Sequence, residues 1–533
     1  MPVATARAIA LEGATGHLID VQADVSQGMV GTTLVGRADV ALSEGRDRCR
    51  MAVVNSRLEW PSTRRVTILL SPADLAKRGT HFDLAVALAV LGACGTVPPA
   101  ALAGTVFIGE LTLEGGLRAV PGVLPMVLGA AAGGIRRVVV PEPQAAEAAM
   151  VPGVEVLGLR SLSQAVAELR GEPVPEAPPV AAASGNRLLA WRGDERLDEV
   201  DMADLLGLGD ARYAVEVAAA GGHHLLLSGP KGAGKTTLAE RIPGLLPDLT
   251  PEEALELAAL HSLAGVLDPR HQLVRPPYSA PHHDASKASI IGGGTGRVRP
   301  GEVSLAHCGV LLLDEFPLFR TDVIDALRTP LESGDVTVAR GDEVAVFPAR
   351  GMVVMACNPC PCGEYRSDVR VSRCTCKEVT RRDYRARISG PLADRIDITR
   401  HLVPLRPDHE PGADPPPGLT PPPESTATVR ARVEAARQRQ EARYAGRSWR
   451  LNAHAPAPAL RAEWPLSEVC QRLVDDKLYG GRLSRRGATR VHRMAWTVAD
   501  LRGLDRPDVA CVDTALRLRE GEPLLLTALR VAG

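Results

Sequence analysis

The sequence predicts an α/β protein made of three folded units joined by two linkers. In residues 1–170, strand-like runs alternate with helix-like runs, which indicates an α+β unit. In residues 201–403, apolar strands that end in glycine-rich or acidic turns indicate an α/β unit. Residues 426–533 carry helical patterns. Proline-rich stretches at 171–200 and 404–425 lack periodicity, so we expect them to be extended linkers.

The composition limits the class of protein. The chain has 533 residues, of which 45% are hydrophobic, and its formal net charge is −1. This length exceeds a single hydrophobic core, and the balanced charge means that any nucleic-acid site must be local. The sequence has no apolar run of about 18 residues or more and no signal-peptide pattern at its start. We therefore expect a cytoplasmic protein with no membrane partner.

The N-terminal unit contains three segments that belong together: Lys77-Arg78-Gly79-Thr80, Gly109-Glu110-Leu111 and Gly133-Gly134-Ile135-Arg136. They resemble the proteolytic domain of the Lon family. That resemblance implies a serine after the first segment and a lysine ahead of the third, but His81 stands at the first place and residues 122–128 contain no lysine. A Ser-Lys mechanism needs both groups, so we expect a Lon-like domain that is catalytically inactive. For His81 we expect a structural role, with a catalytic role as the alternative.

A glycine-rich loop opens the central unit, directly after the apolar residues 225–227. Its sequence, Gly-Pro-Lys-Gly-Ala-Gly-Lys-Thr at 229–236, fits the pattern Gly-x-x-x-x-Gly-Lys-Ser/Thr. Such glycines let backbone N–H groups point at phosphate oxygens, and the helix that follows adds its positive dipole end. Lys235 would reach the β- and γ-phosphates, and the Thr236 hydroxyl would ligate Mg²⁺. The predicted ligands of ATP and Mg²⁺ in this loop are Gly229, Pro230, Lys231, Gly232, Ala233, Gly234, Lys235, Thr236 and Thr237.

Two later strands end in polar residues that suit the same chemistry. The apolar strand 310–313 runs into Asp314 and Glu315. This Walker B pattern would fix Asp314 near the metal and let Glu315 polarise the attacking water. Strand 351–357 ends at Asn358, which resembles the sensor 1 residue of AAA+ ATPases, and that implies a role in holding the water. The alternative for Asn358 is an ordinary strand-end turn.

The segments between these strands have less specific patterns. His282 and His283 are metal-ligand types, but adjacent residues on an extended chain point apart, so we do not expect them to share an ion. The glycine-rich run that contains Arg297 and Arg299 indicates a mobile hairpin or pore loop, whose arginines would contact phosphates.

A cysteine-rich insert spans residues 357–376. Its four clustered cysteines follow the spacing C-x-C, eleven residues, C-x-C. In a cytoplasmic chain such a cluster points to a metal before disulfides, and four thiolates would close a tetrahedral zinc site. The usual spacing of paired zinc ligands is longer than C-x-C, so reduced thiols remain the alternative. The candidate zinc ligands are Cys360, Cys362, Cys374 and Cys376.

Two arginines complete the candidate site. Residues 391–397 read Pro-Leu-Ala-Asp-Arg-Ile-Asp and resemble a motif of Mg-chelatase and MCM-type ATPases. That resemblance implies that Arg395 is an arginine finger for ATP bound to a neighbouring subunit, and hence an oligomeric ring. Residues 483–501 resemble the lid helix that carries sensor 2, which implies that Arg486 contacts nucleotide phosphates. The arginine-rich helix at 429–444 fits a solvated face as well as a nucleic-acid surface.

Together these motifs resemble the YifB/ComM family of Mg-chelatase-like AAA+ ATPases over nearly the whole chain. The resemblance implies a P-loop AAA+ core, a Lon-like N-terminal domain, a helical lid and a homo-oligomeric, hexameric ring. It also implies DNA as partner, because ComM proteins resemble MCM helicases and act in branch migration. A chaperone for metal insertion, like Mg-chelatase, is the alternative, and a Lon-type protease is disfavoured. The residues implied in catalysis are Glu315, Asn358, Arg395 and Arg486.

Overall fold

A computed structural model describes residues 3–36, 40–180, 200–205, 208–268, 273–294, 298–340, 343–365, 373–388, 392–402 and 424–524. Most of the two predicted linkers lies outside these ranges, and so does Arg297. The described part of the first linker, residues 172–180, forms neither helix nor strand.

The N-terminal domain is a mixed seven-stranded sheet covered by helices. The whole domain has nine strands among its described residues, seven of them in this sheet: β1 (Ala4–Glu12), β2 (Thr15–Ser26), β3 (Gly31–Val35), β4 (Arg65–Ser71), β5 (Thr105–Phe107), β6 (Glu110–Leu111), β7 (Leu117–Arg118), β8 (Arg137–Pro141) and β9 (Glu155–Leu159). Its helices are α1 (Val40–Asn55), α2 (Asp83–Ala93), α3 (Pro99–Leu102), α4 (Val123–Ala132), α5 (Ala145–Ala148) and α6 (Leu162–Arg170). The sheet order is β3-β4-β2-β1-β5-β8-β9, and β6 pairs with β7 as a separate hairpin. β1, β5, β8 and β9 run parallel, whereas β2 is antiparallel to both β1 and β4.

Alternating apolar residues explain why these strands form a sheet with one covered face. In β4 every second residue is buried, as expected where one face of a strand packs on helices. Helix α2 is buried along its whole length and packs against β1 and β2. The strand-like runs of this unit include the segments around Val21, Val66 and Val139, which lie in β2, β4 and β8.

The residues of the Lon-like pattern are packed into this core. His81 is 2% exposed, and its Nε2 donates to the carbonyl of Ile9 at 2.8 Å. Lys77 is fully buried, and its Nζ donates to the carbonyl oxygens of Leu75 and Pro72. Both side chains therefore tie backbone segments together, which supports the structural interpretation of His81.

The central unit is built on a five-stranded sheet. The described strands of the whole unit, five of which form this sheet, are β10 (Leu225–Ser228), β11 (Tyr278–Ser279), β12 (Gly292–Gly293), β13 (Arg299–Pro300), β14 (Val310–Leu313), β15 (Asp335–Arg340), β16 (Glu343–Pro348), β17 (Met352–Cys357) and β18 (Ile398–His401). Its helices are α7 (Gly209–Gly221), α8 (Lys235–Ala239), α9 (Ile242–Leu245), α10 (Pro251–Ala264), α11 (Lys287–Ile291), α12 (Glu302–Leu305), α13 (Thr321–Ala326), α14 (Pro330–Ser333) and α15 (Glu378–Ala386). The order β11-β14-β17-β10-β18 is parallel throughout.

The parallel order decides where polar residues meet. β14 and β17 are buried along their whole length, which is typical of a parallel sheet with both faces covered. The carboxyl ends of β14, β17 and β10 lie side by side at one edge, where ligands bind in open α/β sheets. The amino ends of the same strands form the opposite edge. The prediction of an α/β core is confirmed.

Two features of this unit were not predicted. β15 and β16 form an antiparallel hairpin outside the main sheet, where the sequence offered only an unremarkable stretch of alternating residues. Helix α10 belongs to the central unit in sequence, yet its Ala258 and Ala259 pack in one apolar cluster with Val123 and Val127 of α4. The N-terminal domain therefore rests directly on the central unit.

The C-terminal residues are helical, as expected. The helices are α16 (Thr426–Arg443), α17 (Ala457–Glu463), α18 (Glu468–Tyr479), α19 (Arg485–Leu501) and α20 (Val509–Glu520). Apolar residues of α16, α19 and α20 share one core with α7 and β10, so these helices cover one face of the central sheet. Among the described residues, no helix combines the length and apolar character needed to cross a membrane.

Candidate nucleotide-binding site

The glycine-rich loop lies at the carboxyl end of β10. Gly232 and Gly234 have φ values of +79° and +83°, in the left-handed region that favours glycine. A Cβ atom at Gly229 would lie 2.6 Å from the carbonyl oxygen of Leu402, so a larger residue does not fit there. The following helix, α8, has five residues.

Lys235 lies under this loop, and protein oxygens surround its ammonium group. Its Nζ donates to the carbonyls of Gly229 and Pro230 at 2.8 and 3.0 Å and to Asn358 Oδ1 at 2.9 Å. Burial lowers the pKa of Lys235, and the Asp314 carboxylate works in the opposite direction. A phosphate that enters the loop would replace the carbonyl contacts with a full negative charge, which is a stronger partner for an ammonium group.

Thr236 and Asp314 form the second contact of the site. Thr236 Oγ1 donates to Asp314 Oδ2 at 2.8 Å, and Asp314 Oδ1 accepts the N–H of Glu315 at 2.8 Å. A hydroxyl and a carboxylate that meet beside a phosphate loop are oxygen ligands of the kind that Mg²⁺ prefers. These two residues therefore fit the predicted metal position.

Glu315 follows at the end of β14 with an unusual backbone. Its φ is +49°, a conformation that costs free energy for a residue with a Cβ and is concentrated at functional sites. Its side chain is half-exposed, and Oε2 lies 3.7 Å from His283 Nδ1. The expectation that His282 and His283 point apart is wrong, because residue 283 lies in a turn and the two ring centroids are 4.1 Å apart.

Arg395 and Arg486 lie together, away from the phosphate loop of their own chain. Both reach Glu332 on α14: Arg395 Nη2 at 2.6 Å and Arg486 Nη2 at 3.1 Å. All three line a cleft of about 1040 Å³ together with His224 and Met352. These last two residues stand at the amino ends of β10 and β17, so the cleft opens at the sheet edge opposite to Lys235. Within one chain, the two arginines and the loop therefore belong to different edges of the sheet.

Comparison with known proteins identifies the family. The family model of magnesium chelatase subunit ChlI matches residues 201–409, a second ChlI model matches residues 21–144, and the ChlI C-terminal model matches residues 423–519. An uncharacterised protein of Mycobacterium tuberculosis is 43% identical over 521 residues, which cover 98% of this chain and 99% of the relative. The uncharacterised protein YifB of Escherichia coli is 38% identical and covers 93% and 92% of the two chains. Competence protein ComM of Haemophilus influenzae is 36% identical, with 92% of each chain covered.

The chain belongs to the YifB/ComM family of Mg-chelatase-like AAA+ ATPases. Membership implies the use of ATP and Mg²⁺. The contacts of Lys235, Thr236 and Asp314 fit both.

The four clustered cysteines of this YifB/ComM-family chain also come together. The Sγ atoms of Cys360, Cys362, Cys374 and Cys376 lie within 4.8 Å of one another, and none of the four cysteines forms a disulfide. Cys357, on β17, is buried in the apolar core instead.

The α16 arginines of this YifB/ComM-family protein bind groups within the protein. Arg430 and Arg432 donate to carboxylates, Arg437 and Arg439 to backbone carbonyls, and Arg443 to a buried aspartate. Since each guanidinium is engaged within the protein, the helix is part of the packed domain. These contacts favour a structural role for the helix over the nucleic-acid surface that the sequence left open.

Sequence reasoning missed the network that holds helix α19 of this family member on the sheet. Asp397 accepts from Arg490 Nη1 of α19 at 2.5 Å and from the backbone N–H of His224 at 2.9 Å. Burial alone would raise the pKa of Asp397, but Arg490 and the neighbouring histidines hold it well below its usual range. Asp397 is the last residue of the Pro-Leu-x-Asp-Arg-x-Asp pattern, and that position was the sequence signal that could have identified it. Glu332, by contrast, has no sequence pattern that marks it.

Proposed function

We propose that this protein is a cytoplasmic ATP-hydrolysing motor that works as a ring of identical subunits, a hexamer by its resemblance, with each site shared by two neighbours. One observation carries the proposal. Lys235 and Asp314 lie at the carboxyl edge of the central sheet, whereas Arg395 and Arg486 lie at its amino edge. Two cationic residues that suit a transferring phosphoryl group can reach it only from another copy of the chain.

The chemistry follows from these positions. The phosphate loop and Lys235 hold the phosphates, and Thr236 with Asp314 would hold Mg²⁺, which neutralises charge on the β- and γ-oxygens. Glu315 accepts a proton from the attacking water, and Asn358 orients that water. Arg395 and Arg486 of the neighbour stabilise the charge of the transition state.

Mixing of two inactive variants tests the shared site. Lys235→Ala removes the phosphate ligand, and Arg395→Ala removes the finger, which is worth roughly 10³–10⁵ in rate. Each variant alone should hydrolyse ATP poorly. A mixed ring contains interfaces with an intact Lys235 on one side and an intact Arg395 on the other, so the mixture should regain part of the activity. The matched control is Arg472→Ala, at an exposed arginine of α18.

No recovery in mixed rings whose assembly is confirmed by native mass would mean that the arginine acts in its own chain. Wild-type turnover by Arg395→Ala alone would remove the finger from the mechanism.

We infer further that the motor acts on DNA, in helicase or branch-migration activity. The support is the relation to Competence protein ComM over 92% of the chain and the resemblance to MCM-type ATPases. Of the described residues in the glycine-rich hairpin β12–β13, Arg299 is exposed and is the candidate phosphate contact. The test is the ATPase rate with and without single-stranded and branched DNA. We expect stimulation that weakens with salt and is smaller in Arg299→Ala than in Arg472→Ala.

A chaperone for metal insertion is the second candidate. It is favoured by the match of all three units to magnesium chelatase subunit ChlI. It predicts an ATPase rate that does not respond to DNA and depends on partner subunits. In either case we propose that the Lon-like N-terminal domain is not a protease, since the buried Lys77 and His81 bind backbone carbonyls. Cleavage of unfolded peptide substrates would contradict this.

A further inference from the structure

Four cysteine sulfurs converge beside the nucleotide site. Cys360 Sγ lies 3.3 Å from Cys362 Sγ and 3.6 Å from Cys374 Sγ, and the last two are also 3.6 Å apart. Cys376 completes the group within 4.8 Å. A zinc ion with four thiolates at about 2.3 Å places its sulfurs about 3.8 Å apart, because they occupy the corners of a tetrahedron. The cysteines thus already stand near the spacing that a zinc ion requires.

We propose that Cys360, Cys362, Cys374 and Cys376 bind one Zn²⁺ ion as a structural centre. Four protein ligands leave no open position, which is typical of structural rather than catalytic zinc. Sulfur ligands select zinc over the hard cation Mg²⁺ used at the phosphate loop. Binding releases the thiol protons, since the ligands are thiolates.

The surroundings of the sulfurs suit a thiolate centre. The turn after the first pair is fixed by Gly363, whose φ is +77° and whose N–H donates to the Cys360 carbonyl at 3.0 Å. Tyr365 and Glu364 follow this turn, and their backbone N–H groups lie near the sulfurs of Cys360 and Cys362. Donors near metal ligands stabilise the charge of the thiolates.

Two arginines stack on the residue that follows the first cysteine pair by three positions. The guanidinium of Arg381 lies over the Tyr365 ring, 4.4 Å from its centroid, and that of Arg385 lies at 5.3 Å. Both arginines are on α15, which follows the second cysteine pair, so the two ends of the insert are packed together.

The cysteine-rich insert and the residues that flank it contact the nucleotide site at three places. This part of the inference rests on the proposed function. Asn358, which binds Lys235, stands two residues before Cys360. The Gly363 carbonyl accepts the N–H of Lys231 in the phosphate loop at 3.3 Å. Beyond the cluster, the buried Tyr384 of α15 lies near Asn358. The chain therefore leaves Asn358, passes through the cysteines and returns to the neighbourhood of Asn358, and zinc would close that loop.

Metal content of the purified full-length chain tests the centre. We expect about one zinc per chain in the wild type and in Cys94→Ser, which alters an exposed cysteine of the N-terminal domain. Cys362→Ser and Cys374→Ser should lose the zinc. Because misfolding of these variants would also release the zinc, the wild type grown on cobalt provides a second readout: a tetrahedral thiolate absorption spectrum. A zinc-free wild type with no such spectrum, or two disulfides found among the four cysteines, overturns the proposal.

ATP affinity of zinc-stripped protein tests the link to the nucleotide site. We expect binding of a fluorescent ATP analogue to weaken several-fold after chelation and to recover when Zn²⁺ is added back. Unchanged affinity in a chain that does bind zinc would overturn the link and leave the centre. A chain that binds zinc but no nucleotide would contradict the proposed function instead, so the two failures are distinguishable.

Discussion

The ammonium group of Lys235 donates to Asn358 Oδ1 at 2.9 Å, which joins the phosphate loop to the end of β17. The two residues are far apart in sequence and meet because β10 and β17 are adjacent parallel strands. The contact fixes the side-chain amide of Asn358 with its oxygen toward the lysine. Its NH₂ group is then directed elsewhere, and a water or a γ-phosphate oxygen is a suitable acceptor for it.

The first prediction concerns this amide. Asn358→Ala should lower kcat for ATP hydrolysis roughly 10²-fold, the loss expected for one hydrogen bond made in the transition state. Binding of ATP should change little, because Lys235 keeps the phosphates as partners. Steady-state kinetics and analogue binding measure the two effects separately. Asn55→Ala, on α1 of the N-terminal domain, is the control, and equal losses in kcat and binding would mean that Asn358 only supports the loop.

A second prediction concerns Glu315, which the left-handed backbone places at the mouth of the site. Glu315→Gln keeps the size of the side chain but cannot accept a proton. General-base catalysis contributes roughly 10²–10⁴ in rate, so hydrolysis should fall by that factor while ATP stays bound. Rapid filtration with radiolabelled ATP would detect the trapped nucleotide. Glu468→Gln, at an exposed position of α18, should behave as wild type, and hydrolysis by Glu315→Gln at the wild-type rate would exclude Glu315 as the base.

The sequence predicted the central sheet and its ligand edge well, for physical reasons. Buried parallel strands are continuous apolar runs. The strand β10 is followed by the phosphate loop, β14 by Asp314 and β17 by Asn358, and each of these has distinctive chemistry. A short local pattern was enough for each. Their adjacency then followed from the rule that ligands gather at the carboxyl ends of parallel strands.

The rest depended on contacts between distant segments. Glu332 lies on α14, Arg395 in the turn before β18 and Arg486 on α19. No local sequence pattern indicates that the Glu332 carboxylate binds both arginines. The packing of α10 on α4 is equally long-range, since alanines such as Ala258 fit any helix face. The turn at His282 and His283 was misjudged because two adjacent histidines carry no signal of the backbone between them.

Acid stability gives a third prediction. Burial lowers the pKa of His224 to about 4, and His224 Nδ1 accepts the backbone N–H of Val353 at 3.2 Å. In the unfolded chain a histidine titrates near 6.5. Between these values the unfolded state binds more protons, so stability is full above about pH 6.5 and falls as the pH drops toward 4, by on the order of 1–3 kcal/mol for one such group.

The midpoint of thermal unfolding, measured without nucleotide at pH 7.5 and 5, checks this. His224→Asn keeps an acceptor for Val353 but cannot gain a proton, so its midpoint should depend less on pH than that of the wild type. His17→Asn, on β2, is the matched control. An identical pH dependence in His224→Asn and the wild type would show that His224 does not contribute.

The last prediction concerns Glu332, which holds Arg395 and Arg486 in this structure. If both arginines serve a neighbour's ATP, they must leave Glu332 when the nucleotide binds, and its carboxylate competes with the γ-phosphate. Glu332→Gln removes that charge and should lower the KM for ATP a few-fold to about tenfold, since exposed ion pairs are worth about 0.2–1 kcal/mol each. Asp513→Asn, in a half-exposed ion pair with Arg517, is the control. A KM that rises instead would mean that Glu332 holds the arginines in their active positions, so that the three residues work as one fixed unit.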